Sequence, residues 1–198
     1  MIQALIVEDD PISVEMLRDF LDDSGEPIQV IDHCGTVKSA VNKITKLNPE
    51  LVFLDVELAD GSCFDVLQNI GTINFEIIII TSHDRYAMQA VKYSALDYLI
   101  KPIKINELKS ALKKVGKRMT GNEHKLSPKD RNNFKPSEKV AVPTFEGLLF
   151  IPISDIIRIQ SDRNYTDFYL TEKRNVVVTK SLKEFEALLS ESGFIIAI

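Results

Sequence analysis

The chain has no apolar run long enough to cross a membrane, and it has few cysteines and histidines. A transmembrane helix needs about 20 consecutive apolar residues, and acidic residues interrupt the apolar start of the chain after Val7, before a secretory signal could form. Cys34 and Cys63 match no CxxC or metal-ligand spacing, and the histidines are scattered. We therefore expect a cytoplasmic protein with free thiols and without a histidine-based metal site.

An excess of positive charge is also absent. The formal net charge is −5, with the acidic excess in residues 1–119 and a balance of acidic and basic side chains in residues 120–198. Bulk attraction to nucleic acid is thereby excluded, so any DNA contact must come from a local basic patch. The 44% hydrophobic residues in 198 are enough for one large or two modest cores.

Short apolar runs alternate with helical patterns in the first 118 residues. The predicted strands are 2–7, 28–32, 50–54, 75–80 and 96–100, and the predicted helices are 11–23, 36–47, 62–70, 84–93 and 104–118. Asp10 before Pro11 is typical of a capped helix start. The alternation predicts an α/β fold, a flavodoxin-like doubly wound five-stranded parallel sheet, whose sites lie beyond the carboxyl ends of the strands.

The pattern changes after residue 118. Residues 119–137 are polar and contain one glycine and two prolines, which is typical of an extended interdomain linker. The runs KVAVP, GLLFIPI, DIIRIQ, YTDFYL and NVVVTK then indicate a mainly antiparallel β segment without helices between its strands. Ser181 and Glu184 have capping-box spacing and predict a helix to about Ser190. The predicted domains are thus residues 1–118 and 138–198, joined by the linker.

Acidic side chains follow two strands that we expect to be neighbours in the sheet. Glu8, Asp9 and Asp10 follow the first strand, and Asp55 follows the third. Carboxylates crowded at one edge raise each other's pKa unless a cation lies between them. Oxygen ligands suit Mg²⁺, the divalent ion that works with phosphate. The alternative is an acidic helix start, because Asp10 also caps a helix.

A hydroxyl and an ammonium group end two further predicted strands of the sheet. Thr81 closes the fourth strand, and Lys101 closes the fifth, immediately before Pro102. Taken singly, a strand-end threonine usually serves a turn and a surface lysine is usually solvated. Together with the carboxylates they predict a phosphoryl-transfer site in which Asp55 is the nucleophile, the metal and Lys101 neutralise charge, and Thr81 donates a hydrogen bond.

Four segments, LIVEDD, LVFLDVEL, IIIITSHD and ALDYLIKP, resemble in order and spacing the receiver domain of two-component response regulators. The resemblance covers residues 1–118 and implies that Asp55 accepts phosphate from the phosphohistidine of a sensor histidine kinase. It also implies that Asp9 and Asp55 bind Mg²⁺ through their side chains, Glu57 through its backbone carbonyl and Glu8 through water.

The same resemblance implies a switch and a dimer surface. Thr81 and Tyr98 would form the switch pair, with Thr81 moving toward the phosphoryl group and the Tyr98 ring turning inward. The helices 84–93 and 104–118 would form the contact of a homodimer.

The lifetime of the acyl phosphate is tuned in this family two positions after the nucleophile and two after the switch threonine, where this chain has Glu57 and His83. Slow self-hydrolysis would not make the protein an enzyme in the usual sense. A phosphohydrolase of the haloacid dehalogenase type is disfavoured, although Asp55 and Glu57 have the spacing of its motif. That family places its nucleophile on the first strand and prefers aspartate at the second position.

The segment from FEGLLFIP to ESGF resembles the start of a LytTR-type DNA-binding domain, which implies control of transcription by loops that enter the major groove of DNA. An arginine and a histidine of the family pattern are absent after Phe194, where we expect a truncated domain. We therefore assign no DNA-contact residue. The surviving basic residues, solvated or in contact with phosphates, are Arg158, Arg163, Lys173, Arg174 and Lys180. The alternative output is a protein-interaction switch without DNA binding.

Overall fold

The structure is a computed structural model. It describes residues 1–83, 86, 90, 93, 95–120, 139–144, 147–162, 165–171, 174–178, 182 and 185. The chain divides into two compact units, Met1–Phe134 and Lys135–Ile198. Most of the predicted linker, most of the predicted helix 84–93 and all but two residues of the helix predicted from Ser181 lie outside the described residues. In the described part of the chain, no helix has the length and apolar character needed to span a membrane.

The first unit contains a five-stranded parallel sheet with helices between its strands. Its strands are β1 (Ile2–Val7), β2 (Ile28–Cys34), β3 (Leu51–Asp55), β4 (Glu76–Thr81) and β5 (Asp97–Ile100), and its described helices are α1 (Pro11–Ser24), α2 (Val37–Leu47), α3 (Cys63–Ile70) and α4 (Ile105–Met119). The strand order is β2–β1–β3–β4–β5, which confirms the flavodoxin-like doubly wound prediction. The predicted bounds of the described strands and helices agree with these to within two residues.

Local signals set the start and end of α1. The Asp10 carboxylate accepts hydrogen bonds from the backbone N–H groups of Ile12 and Ser13, and Pro11 occupies the first turn. These bonds satisfy donors that have no partner inside the helix. Gly25 ends the helix with φ 75°, a left-handed conformation that glycine adopts without strain. The predicted helix start at Pro11 is confirmed.

The core of the first unit lies on both faces of the sheet. Every residue of β3 and β4 is buried, because these central strands are covered by helices on two sides. Phe53 and Ile78, from adjacent strands, pack with Leu108 and Leu112 of α4 in one cluster. This rigid centre holds the carboxyl ends of β1, β3, β4 and β5 in fixed register.

Two buried acidic residues stand at the amino ends of the strands, where the sequence was interpreted as apolar. Glu76 begins β4 and pairs with Arg118 of α4, whose Nη1 lies 3.0 Å from Glu76 Oε2. Asp97 begins β5 and pairs with Lys114, with Nζ 2.7 Å from Asp97 Oδ2. These contacts attach the second half of α4 to the strands beneath it.

The second unit is built from antiparallel strands, as predicted. They are β6 (Lys139–Thr144), β7 (Gly147–Pro152), β8 (Ile156–Asp162), β9 (Tyr165–Leu170) and β10 (Asn175–Val178). β6 pairs with β7, and β8, β9 and β10 form a three-stranded sheet. The prediction of no helix between these strands needs one correction, because Ile153–Asp155 forms a single 3₁₀ turn. Phe168 is fully buried and meets the ring of Phe185 edge-on at 5.2 Å.

Candidate functional site

Three carboxylates meet beyond the carboxyl ends of β1 and β3. Glu8 and Asp9 directly follow β1, and Asp55 is the last residue of β3. Because β1 and β3 are paired in parallel, ligand atoms of Glu8, Asp9 and Asp55 come within 4.8 Å of one another. Glu8 and Asp55 are buried, whereas Asp9 is exposed. Three of the four carboxylates predicted to meet therefore lie together, with Asp9 giving access to solvent, whereas the Asp10 carboxylate caps α1.

Lys101 reaches into this cluster from the end of β5. Its Nζ lies 2.6 Å from Glu8 Oε2 and 2.6 Å from Asp55 Oδ2. Burial by itself lowers the pKa of the Lys101 ammonium group, but the hydrogen bonds to Asp55 and Glu8 more than offset this, so that its pKa is raised. Lys101 therefore stays charged and bridges the two buried carboxylates.

The charges within the cluster do not balance. Among the described residues, the cluster has three carboxylates and one ammonium group, that of Lys101, which contacts Glu8 and Asp55. Burial raises the pKa of the Glu8 carboxyl; the hydrogen bond from Lys101 lowers it and the charge of Asp55 raises it again, and the net direction is upward. Burial is the first cause of this raised pKa, and the charge of Asp55 adds to it. An oxygen-only donor set with excess negative charge fits a hard divalent cation such as Mg²⁺.

Glu57 joins the cluster through its backbone and not through its carboxylate. Its N–H donates to Asp55 Oδ1 at 3.2 Å, which orients the Asp55 carboxylate. The Glu57 side chain is exposed, and its Oε1 lies 3.5 Å from Nδ1 of His83. The carboxylate therefore points across to the loop after β4, and the backbone stays beside Asp55.

Thr81 and Tyr98 are held by the same neighbour. Thr81 ends β4, one residue beyond Ile80, which is paired with Asp55. Its Oγ1 accepts a hydrogen bond from the His83 N–H at 3.4 Å, and the hydroxyl of Tyr98 donates to the His83 carbonyl. The Tyr98 ring is almost fully buried, so it lies inward in this structure.

The role of the His83 backbone was missed by the sequence analysis, which considered only its side chain. The His83 carbonyl gives Tyr98 the acceptor that a buried phenol hydroxyl requires. Because His83 and Tyr98 are far apart in the chain, the sequence contains no signal for this contact. His83 therefore contacts three residues of the site: the Glu57 carboxylate through its side chain, and the Thr81 and Tyr98 hydroxyls through its backbone.

The candidate basic residues of the second unit are only partly described. The guanidinium carbon of Arg158 lies 3.9 Å from the centroid of the Tyr169 ring, on the face of β8 and β9 opposite Phe168. Arg174 pairs with Asp155 at 3.2 Å. Arg163, Lys173 and Lys180 lie outside the described residues. None of these observations assigns a DNA contact.

The site at the carboxyl end of the sheet has the parts of a phosphoryl-accepting centre. Asp55 offers a carboxylate that is oriented by the hydrogen bond from the Glu57 N–H to its Oδ1. Lys101 supplies a fixed positive charge, and Thr81 supplies a buried hydroxyl one residue beyond the paired end of β4. Fixed charges and donors of this kind stabilise the charge that develops on transferring phosphoryl oxygens.

Two family models match the chain. The model described as "Response regulator receiver domain" matches residues 4–113, more than half of the 198 residues. The model described as "LytTr DNA-binding domain" matches residues 146–196. The two matches fall on the two compact units.

Two named relatives match along most of this chain. Sensory transduction protein LytT of Bacillus anthracis is 26% identical over an alignment of 204 residues, covering 98% of this chain and 82% of that protein. Transcriptional regulatory protein BtsR of Escherichia coli is 30% identical over 139 residues, covering 68% of this chain and 56% of that protein. The response regulatory domain of protein mrkE from Klebsiella pneumoniae has a TM-score of 0.56 at 19% identity, covering 60% of this chain and 98% of that domain, a likeness of fold.

Proposed function

This chain belongs to the response regulator receiver family, and we propose that it is switched by transfer of a phosphoryl group to Asp55. The chain combines its receiver domain with a LytTr DNA-binding domain. The observation that carries the proposal is the arrangement around Asp55: a buried carboxylate 2.6 Å from Lys101, beside Glu8 and Asp9 and oriented by the Glu57 N–H. A sensor histidine kinase would supply the phosphoryl group as phosphohistidine.

In this proposal Glu8, Asp9, Asp55 and the backbone carbonyl of Glu57 hold Mg²⁺, directly or through water. The ion, when bound, draws negative charge from the phosphoryl oxygens and so favours attack by an anionic carboxylate. An Asp55 carboxylate oxygen forms the new bond to phosphorus while the bond between phosphorus and the histidine nitrogen breaks. The electron pair of that bond leaves with the imidazole ring, and an acyl phosphate remains on Asp55.

Lys101 and Thr81 contribute from the other side of the crevice. The Lys101 ammonium group already donates a hydrogen bond to the Asp55 carboxylate. It is therefore in position to bind an oxygen of a phosphoryl group on Asp55 without a large movement. The Thr81 hydroxyl would turn from the His83 N–H toward the phosphoryl group. The Tyr98 hydroxyl donates a hydrogen bond to the His83 carbonyl. A movement of Thr81 and His83 would therefore also move the Tyr98 ring.

The output in this proposal is DNA binding by the second unit, controlled from the first. Phosphorylation would shift the population toward a conformation that dimerises through the helices 84–93 and 104–118 and binds DNA more tightly. The shift can be no larger than the difference in free energy with which the phosphoryl group interacts with the two conformations. We propose domain limits of 1–118 and 138–198, with 119–137 as the linker. The protein would consume one phosphoryl group per switching event and turn over no other substrate.

The test is incorporation of phosphate from a small acyl-phosphate donor, with and without Mg²⁺, followed by intact mass. We expect one added phosphoryl group in the native chain, dependent on Mg²⁺. Asp55→Asn should abolish it because the amide is not a nucleophile at this site. Asp22→Asn, which removes an exposed carboxylate of α1, is the matched control and should leave incorporation unchanged. Incorporation that survives in Asp55→Asn would refute the assignment of the nucleophile.

A further inference from the structure

Asp9 differs from the other carboxylates of the cluster in what holds it. Glu8 and Asp55 each accept a hydrogen bond from Lys101, and a backbone N–H group also donates to each of them. In the described part of the chain the Asp9 carboxylate has no hydrogen bond or ion pair, and it is exposed. The position of this carboxylate therefore depends on where the Asp9 backbone lies.

Gly35 lies directly against the Asp9 backbone. A Cβ atom built on Gly35 would come 2.7 Å from the Cα and 2.9 Å from the Cβ of Asp9, and 3.2 Å from the carbonyl oxygen of Glu8. Contacts below 3.0 Å force something to move, and here the atoms are backbone or next to it. The absence of a side chain at Gly35 is thus required by close packing, since a methyl group would have to displace Asp9.

The same short loop is tied to the segment that follows Asp55. The Gly35 carbonyl accepts a hydrogen bond from the Ala59 N–H at 3.2 Å, while the residue before it, Cys34, accepts one from the Glu8 N–H at 2.8 Å. Two residues after Gly35, the Val37 N–H donates to Asp60 Oδ1 at 2.6 Å. Residues 35–37 therefore connect the loop that carries Asp9 to the loop that carries Glu57.

From these contacts we infer that Gly35 is a positioning residue for the Mg²⁺ site, with residues 35–37 setting the spacing between Asp9 and the loop after Asp55. The inference rests on the proposed function, which supplies the ion. Gly35 acts by allowing Asp9 to approach, and Asp60 acts by holding the opposite loop. Neither residue touches the ion in this scheme.

The first test is Mg²⁺ affinity, measured by isothermal calorimetry on the full chain at a temperature well below unfolding. We expect Gly35→Ala to weaken Mg²⁺ binding roughly tenfold or more, as is typical when a group that orients a metal ligand is changed. Gly116→Ala is the matched control, because the added methyl group meets no atom within 4 Å; its affinity should equal that of the native chain. A purely structural role of Gly35 would lower stability in EDTA and leave the affinity unchanged, which would overturn the inference.

The second test avoids added bulk and decides the question if Gly35→Ala does not fold. Asp60→Ala removes the acceptor for the Val37 N–H, whereas Asp60→Asn keeps an oxygen in its place and removes only the charge. We expect Asp60→Ala to weaken Mg²⁺ binding by about two- to tenfold, the effect of one hydrogen bond, and Asp60→Asn to bind as the native chain does. Equal loss in both Asp60 variants would mean a charge effect and would overturn the inference.

The outcome for the native chain separates this inference from the proposed function. A native chain that binds Mg²⁺ and accepts phosphate, with unchanged affinity in Gly35→Ala and Asp60→Ala, refutes the positioning role and leaves the proposed function intact. A native chain that binds no Mg²⁺ refutes the metal site itself.

Discussion

The two ends of the parallel sheet both contain buried acidic residues, but they differ in charge balance. At the amino ends, Glu76 faces Arg118 and Asp97 faces Lys114, so that each of these two buried acids has a base of its own. At the carboxyl ends, Glu8 and Asp55 share Lys101, and the carboxylate of Asp9 lies beside them. The two buried acids at the amino ends are matched by bases, whereas the cluster at the carboxyl ends carries excess negative charge.

The difference separates a structural role from a functional one. Buried charges that are matched one to one need no further partner, and they specify how α4 lies on β4 and β5. Buried charges in excess of their partners are unfavourable unless something else binds, and they are therefore expected where a protein receives a cation. Burial of acidic residues does not by itself distinguish the two ends. The ends differ in how many ammonium and guanidinium groups pair with the buried carboxylates.

The largest expected effect is at the amino ends. Arg118→Met should lower the stability of the sheet by about 3–5 kcal/mol, because it leaves the Glu76 carboxylate without its guanidinium partner in a site where both side chains are largely buried. Hydrogen exchange of β4 peptides measures this loss within the first unit. Lys117→Met, which removes an exposed charge on the same helix, should have little effect. Equal losses in the two variants would mean that helix charge, and not the buried pair, is responsible.

One substitution made at both ends compares their roles directly. Lys101→Met should slow phosphate incorporation by about 10²–10³-fold, the usual effect of removing one group that stabilises transition-state charge. Lys114→Met should leave the incorporation rate unchanged. It should also destabilise the sheet less than Arg118→Met does, because Lys114 is 39% exposed and its pair is partly screened by water. Rates that fall equally in both lysine variants would contradict the division between the two ends.

A smaller effect is expected for Asp10, the acid next to the cluster that the proposed metal site does not include. Asp10 accepts hydrogen bonds from two backbone N–H groups and from the Ser13 hydroxyl, and its pKa is lowered by these bonds, the Ser13 side chain first. Asp10→Ala should lower the stability of the first unit modestly, because the helix cap is lost. Asp10→Asn should keep the cap, and calorimetry should give native Mg²⁺ affinity for it. A large loss of affinity in Asp10→Asn would make Asp10 a ligand.

The smallest expected effect is a change in how the free energy of unfolding depends on pH, caused by Asp97 at the amino ends. Burial raises the pKa of Asp97 above its ordinary value of 3.8, with the Lys114 ammonium group and the Tyr98 N–H opposing it and the Glu107 charge adding to it. The folded state therefore holds the proton more tightly than the unfolded state does. Its stability, relative to that of Asp97→Asn, is highest below pH 3.8 and falls as pH rises through the raised pKa.

Urea unfolding of the native chain and Asp97→Asn at a series of pH values measures this difference. The difference in free energy of unfolding should decrease from acidic to neutral pH. An increase over the same range would mean that Lys114 lowers the pKa of Asp97 below 3.8, contrary to the direction given above.

Much of the first unit followed from local pattern. Apolar runs bounded by helical periodicity located all five strands, and because parallel strands end at one edge, the residues after β1, β3 and β5 were expected to meet. The contacts of Lys101 with Glu8 and Asp55 agree with this. The short hairpin Glu57–Leu58 with Gly61–Ser62 was not predicted, since two-residue strands are too short to produce a pattern.

The sequence alone determined the α/β class, the order of the elements and which residues stand at the strand ends, because side-chain periodicity and strand direction are local properties. Only the tertiary structure decided which buried acids are neutralised, where the Tyr98 hydroxyl finds its acceptor and why residue 35 is a glycine. Each of these depends on groups far apart in the chain, such as Glu76 with Arg118 or Gly35 with Asp9. Contacts of this kind leave no periodic signal, since they arise from the packing of one element against another.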